Sequence, residues 1–186
     1  MRRVLALLIL FIATAALAHE GHHHEAHTQE AKVQSAPLDL SLIYKLIYKE
    51  IDESYAKNVK PIFDQKCATC HSASNPSPWY SSLPVIHWLV ESDRNEAKEH
   101  LEISKGFPFA GHGTPENDLA AIKEVITKNS MPTTLFALFH PSSRLSVDEK
   151  KIIFSWIEVS SEKLASATKM GNNLRNNLKN QNEKPK

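Results

Sequence analysis

Residues 60–72 read KPIFDQKCATCHS, and the segment CATCH at 67–71 decides how the rest of the chain is interpreted. Pro61 suits the first turn of a helix, which predicts a short helix leading into Cys67. Two thiols on one helical turn can reach the two vinyl groups of one porphyrin, and the next imidazole can bind its iron. The spacing therefore predicts a single haem c, attached through Cys67 and Cys70, with His71 as the proximal iron ligand.

Two other sites use closely spaced cysteines. A thioredoxin-like redox pair needs a βαβ context, which the sequence does not indicate. A structural zinc site needs a second pair of ligands. Histidines could supply it, but their spacing forms no recognisable set: His87, His100 and His112. Both alternatives are weaker than the haem interpretation.

Apolar residues elsewhere recur at helical spacing, which predicts an all-α domain. One helix is expected over residues 42–58, and another begins near Pro84 and buries Val85, Ile86, Leu89 and Val90. Thr114 and Pro115 predict a capped start for a third helix. Ser146 and Glu149 predict a capping box for the last helix. No strand alternation and no internal repeat is found.

The N-terminus has the three parts of a secretory signal peptide. Two arginines precede an apolar run over residues 4–17, and Ala16-Leu17-Ala18 is a small-x-small cleavage signal. We expect cleavage after Ala18 and a periplasmic or otherwise exported protein. An uncleaved membrane anchor is the alternative, although the run is shorter than the roughly 20 residues that span a bilayer. No second long apolar stretch follows, so no membrane span is expected after cleavage.

Composition divides the chain into four parts. They are a signal peptide (1–18), a His-rich flexible linker (19–37), a haem-binding domain (38–164) and a polar, disordered tail rich in Asn and Lys (165–186). The 22 Lys and Arg nearly balance the 21 Asp and Glu, and loss of Arg2 and Arg3 with the signal brings the net charge to about −1. This balance gives no electrostatic reason to expect a nucleic acid partner.

The second iron ligand is predicted to be Met131, which follows a helix and precedes Pro132. A thioether opposite histidine raises the reduction potential of a haem. Met1 leaves with the signal and Met170 lies in the polar tail, so Met131 is the methionine best placed to bind. His140 is the main rival, followed by His112, His100 and His87. Trp156 and Phe136 are candidates for the haem wall.

The linker contains five histidines within nine residues: His19, His22, His23, His24 and His27. Imidazole suits zinc, copper and nickel, so this tract could bind exported metal weakly. The simpler interpretation is a solvated tail that binds metals loosely with no biological use.

The chain from Val59 to about Val159 resembles the haem-binding domain family of short bacterial c-type cytochromes. The matching segments are Val59-Lys60-Pro61-Ile62, Cys67-Ala68-Thr69-Cys70-His71-Ser72, Pro78-Trp79-Tyr80, His100-Leu101 with Ser104, Met131-Pro132, His140-Pro141, and Leu145-Ser146 with Glu149 and Trp156. The resemblance implies a cytochrome c-like fold, covalent haem, and axial ligation by His71 and Met131. The chain departs from the family at Ala97-Lys98 (usually Gly-Arg), Glu102-Ile103 (usually Asn-Phe) and Phe136 (commonly Tyr), so contacts to the haem propionates near residues 98–102 are not carried over.

These features predict an electron carrier that passes electrons to redox protein partners and is not an enzyme. The alternative is a haem-based sensor that binds a small ligand after its distal ligand leaves the iron. A peroxidase would need an open iron and polar distal groups. A metal-handling protein would rely on the His tract.

Overall fold

The computed structural model describes residues 39–182, and the predicted signal peptide and the His tract lie outside this range. Seven α-helices follow one another: α1 (Leu40–Ser54), α2 (Lys60–Lys66), α3 (Ala68–His71), α4 (Pro84–His100), α5 (Pro115–Thr127), α6 (Thr134–Phe139) and α7 (Val147–Asn182). A π-helical turn at Tyr55–Val59 joins α1 to α2, and 3-10 turns lie at Trp79–Ser82 and Pro141–Ser143. Within residues 39–182, extended pairing is limited to one antiparallel bridge between Glu102 and Ala110. The predicted all-α class is confirmed.

Two helix starts follow their sequence signals. The Thr114 hydroxyl accepts the N–H of Asn117 at 3.3 Å, ahead of Pro115. At the start of α7, the Ser146 hydroxyl accepts the Glu149 N–H and the Glu149 carboxylate accepts the Ser146 N–H. Both caps satisfy N–H groups that have no partner inside the helix.

An aromatic cluster forms the core where α1, α2 and α7 meet. Tyr55 is fully buried, and its ring centroid lies 5.1 Å from that of Phe109 and 5.5 Å from that of Trp156. The Trp156 indole N–H donates to the carbonyl of Ile51 at 3.4 Å, which ties α7 to α1. Trp156 thus packs among core side chains, and its place in the haem wall stays a prediction.

The structure differs from the sequence-based prediction after residue 165. Instead of a disordered tail, α7 continues as a helix to Asn182. Leu164 and Ala167 are buried, and the Tyr44 hydroxyl lies 3.2 Å from the Thr168 hydroxyl. A few small or apolar residues at helical spacing are sufficient to hold this polar segment against α1.

The prediction that α4 buries its apolar residues is wrong. Val85 is 85% exposed, Ile86 and Leu89 are also exposed, and Val90 is only half-buried. The side chain of α4 that is buried is Arg94. Among the helices of residues 39–182, none is long and apolar enough to cross a membrane.

Candidate haem-binding site

The two cysteines and His71 lie on a single helical turn at the start of α3. Cys67 ends α2 by donating its N–H to the carbonyl of Phe63 at 2.8 Å. Its own carbonyl then accepts the N–H groups of Cys70 at 3.2 Å and His71 at 3.0 Å. The sequence separation of three and four residues thus places both thiols and the imidazole on adjacent positions of one turn.

The thiols are free and in surroundings that suppress their ionisation. Burial, with a smaller contribution from the neighbouring Cys70, raises the pKa of the Cys67 thiol to about 12. Burial also raises the pKa of Cys70, although Arg94 opposes the shift. Reactive redox cysteines have lowered pKa values, so this pair does not have the character of a thioredoxin-like site. Nor do residues 39–182 contain a cluster of three or more metal-ligating side chains.

The His71 ring is oriented by a backbone carbonyl at the C-terminal end of α4. Its Nδ1 lies 2.9 Å from the carbonyl oxygen of Leu101. Because a carbonyl only accepts, Nδ1 carries the hydrogen and donates it. The lone pair therefore lies on Nε2, which makes no hydrogen bond with any described residue. A histidine that ligates a metal typically donates its other N–H in this way, which fixes its tautomer and ring direction.

The segment that supplies this carbonyl is itself tied to the motif. The N–H of Ile103 donates to the carbonyl of His71 at 2.9 Å. The two carboxylate oxygens of Glu102 accept the N–H of Ala73 at 2.7 Å and that of Ser104 at 2.8 Å. Glu102 stands where the resembling family has Asn, and here it bonds the protein backbone. Sequence reasoning did not assign it this role, because the contact joins residues 29 positions apart.

Glu102 gives a testable dependence of stability on pH. Desolvation opposes its ionisation, but the hydrogen bonds from Ser104 and Ala73 outweigh it and lower its pKa. A carboxyl whose pKa is lower in the folded state stabilises the protein above the unfolded pKa, and this contribution is lost as pH falls through the folded value. We expect Glu102→Gln to be less stable at neutral pH and to lose less stability than the wild type on acidification, as measured by denaturant unfolding.

The matched control is Glu96→Gln, on the exposed face of α4. It should leave both the stability at neutral pH and its dependence on pH close to those of the wild type. An acid profile of Glu102→Gln that parallels the wild type would contradict the role assigned to this carboxylate.

Arg94 joins the motif to the loop that follows it. Its side chain is buried, and its guanidinium donates to the carbonyl of Thr69 and, at 2.9 Å, to that of Asn75. Its Nε has no hydrogen-bond partner and lies 3.8 Å from a carboxylate oxygen of Glu91. The guanidinium fork thus joins α3 to the loop that follows it. Nothing in the α4 sequence distinguishes this arginine from a solvated one.

Two helices and a 3-10 turn expose several large apolar side chains. Val85 and Trp88 of α4 are 85% and 74% exposed, and Trp79 of the adjoining 3-10 turn is 82% exposed. Leu135, Leu138 and Phe139 of α6 are exposed as well. A concentration of exposed large apolar side chains marks a surface that binds something apolar.

The candidates for the second iron ligand lie in different environments. Met131 is 44% exposed, in the turn between α5 and α6, and is followed by a cis peptide bond to Pro132. The Nε2 atom of His140 lies 2.9 Å from the Tyr80 hydroxyl, and its ring stacks on Phe136 with centroids 4.4 Å apart. His87 holds the carbonyl of Ser81 through Nδ1. His71 binds the carbonyl of Leu101 through Nδ1 in the same way, so hydrogen bonding sets Met131 apart from His140 but not from His87.

Comparison with known families agrees with these features. A family model described as the haem-binding domain matches residues 46–159. The chain belongs to this haem-binding domain family. Searches of curated proteins and of solved structures found no match. The family supports a haem cofactor, and the match covers every helix that contributes to the site.

The residues of this haem-binding domain fit such a cofactor. Nε2 of His71 is free to bind iron, and the exposed apolar side chains of α4 and α6 suit contact with an apolar macrocycle. Cys67 and Cys70 are positioned beside His71, where thioether bonds to the vinyl groups are chemically reasonable.

Proposed function

We propose that this haem-binding domain is an exported c-type cytochrome that carries electrons through one covalently attached haem. Cys67 and Cys70 would form the thioether bonds, and His71 and Met131 would bind the iron. The observation that carries the proposal is the bond from His71 Nδ1 to the carbonyl of Leu101, because it presents Nε2 as a ligand. The bound haem would supply a one-electron Fe(III)/Fe(II) couple.

The protein's own groups would tune that couple in three ways. The carbonyl of Leu101 makes the His71 imidazole a more basic ligand by accepting its N–H. The thioether of Met131 would favour the reduced iron. Apolar residues such as Trp88, Leu138 and Phe139 would exclude water from the haem. Exclusion of water also changes the reduction potential of the iron.

The ligation by Met131 rather than His140 is supported by hydrogen bonding. His140 would have to break its contact with Tyr80 and leave its stack on Phe136 before Nε2 could bind iron. Met131 has no such contact to lose. An iron held by both His71 and Met131 would exchange electrons without binding a substrate, which supports a carrier over an enzyme.

Attachment is tested by exporting the full chain and extracting it with acid acetone, followed by a pyridine haemochrome spectrum. We expect haem that stays with the polypeptide and has a c-type spectrum. Cys67→Ala should leave one thioether at most, and the double change with Cys70→Ala should release the haem on extraction. Haem that extracts from the wild-type chain would contradict the proposal, as would full retention in the double variant.

A second function is favoured by the exposure of Met131. A ligand that is 44% exposed and held by no hydrogen bond could leave the iron and admit a small molecule. The protein would then act as a haem-based sensor. Rapid CO binding to the reduced wild-type protein would favour the sensor, whereas a stable methionine-to-iron charge-transfer band without CO binding would favour the carrier.

Export is tested on the same preparation. We expect the mature chain, measured by intact mass, to begin at His19, the residue after the predicted cleavage site. A chain that retains residues 1–18 would favour the membrane-anchor alternative.

A further inference from the structure

Two exposed histidines meet on the surface beside the proximal segment. His100 ends α4, and His112 lies in the loop before α5. Their ring centroids are 5.9 Å apart, with the ring planes at 83° to each other. The two residues are twelve positions apart in sequence, so their proximity comes from the fold.

The backbone holds this pair in register. Glu102 and Ala110 exchange both N–H···O bonds of an antiparallel bridge, at 2.6 and 3.1 Å. Two residues back from Glu102 is His100, and two residues on from Ala110 is His112. The bridge is isolated and His100 belongs to α4, so its effect is to bring the end of α4 beside the loop that carries His112. A further bond from the His112 N–H to the carbonyl of Glu99, at 3.1 Å, extends the contact to the end of α4.

Gly111 allows the two segments to approach this closely. A Cβ atom at this position would lie 2.5 Å from the carbonyl oxygen of His100 and 2.9 Å from its carbon. Gly111 also has a φ of +142°, which side-chain-bearing residues rarely adopt. The backbone contacts therefore hold the two segments together and keep the two imidazoles within reach of each other.

We propose that His100 and His112 form a chelating site for a divalent transition metal ion that prefers imidazole, such as Zn²⁺ or Cu²⁺. Both rings are exposed, so small rotations bring one nitrogen of each to a shared ion. Within residues 39–182 there is no third ligand grouped with them, so water completes the coordination. The proposed ligands are different residues from those proposed for the haem iron and from the histidines of the tract at residues 19–27.

The experiment uses the full haem-loaded chain with the five tract histidines changed to alanine, which removes their competing binding: His19, His22, His23, His24 and His27. Zn²⁺ is titrated into this protein by calorimetry, since zinc undergoes no redox reaction with haem. We expect one Zn²⁺ per chain. Because the second imidazole binds within the same molecule, His100→Ala and His112→Ala should each weaken binding about tenfold or more.

The matched control is His87→Ala, which removes another histidine of α4 and should leave zinc affinity unchanged. Nitrogen chemical shifts of the imidazoles provide a second measurement, and those of His100 and His112 should move together on zinc addition. No zinc binding, or binding that is equally strong in His100→Ala and the parent chain, would overturn the site. These outcomes do not depend on the haem spectrum, so they leave the proposed electron-transfer function separately testable.

Discussion

Changing Met131 to alanine should lower the reduction potential of the holoprotein while the haem stays covalently attached. The reason is that loss of the thioether removes a ligand that favours reduced iron. Axial ligands set haem potentials over about 0.8 V, and we expect a decrease on the order of a hundred millivolts. Spectroelectrochemical titration measures the potential, and CO binding by the reduced form measures access to the iron.

Met170→Ala is a close control, because Met170 is 45% exposed, nearly as much as Met131, but lies on α7. It should leave the potential and the CO response unchanged. His140→Ala tests whether the rival residue binds the iron. It should remove the bond to Tyr80 and have a much smaller effect on the reduction potential than Met131→Ala. An unchanged potential in Met131→Ala, or a larger decrease in His140→Ala, would contradict ligation by Met131.

The second large effect is expected at Arg94. Arg94→Ala should destabilise the protein by about 3 kcal/mol, because two carbonyls of the motif region would lose their charged donor inside the protein. The loop after His71 would also lose its connection to α3. Denaturant unfolding of the purified protein measures the loss, and the haem content of the exported protein measures its consequence for maturation.

Two further variants show whether the geometry or the charge of the Arg94 side chain is responsible for its contribution to stability. Arg94→Lys keeps the charge but cannot place two donors in a planar fork, so it should recover only part of the lost stability. Arg175→Ala removes an exposed arginine of α7 and should change stability by no more than about 0.5 kcal/mol. Full stability of Arg94→Ala would show that the buried guanidinium does not hold the motif.

Local signals in the sequence were sufficient for the helix starts. Thr114 and Ser146 cap their helices through contacts within three residues, and such contacts can be identified from spacing alone. The same reasoning was wrong for α4. Periodicity finds an apolar face but cannot say whether it packs on the core or stays open beside the haem motif, and Val85 and Trp88 are exposed.

The end of the domain shows a related limit. The segment after Ala165 is so polar that composition predicts disorder. Its helix is held by a small number of contacts to α1, including Thr168 to Tyr44, across more than a hundred residues. Composition gives the mean polarity of a segment. A helix can nevertheless be anchored by a few buried residues along one of its faces.

By itself the sequence determined the residues of the motif, because the spacing of Cys67, Cys70 and His71 is local to five consecutive residues. It also determined the all-α class through helical periodicity and capping. Only the tertiary structure decided which atoms surround that turn: the Leu101 carbonyl behind His71, the Arg94 fork, and the pairing of His100 with His112. The physical reason is range, since helical spacing depends on neighbouring residues, whereas these contacts join residues 12 to 30 positions apart and exist only after the helices have packed.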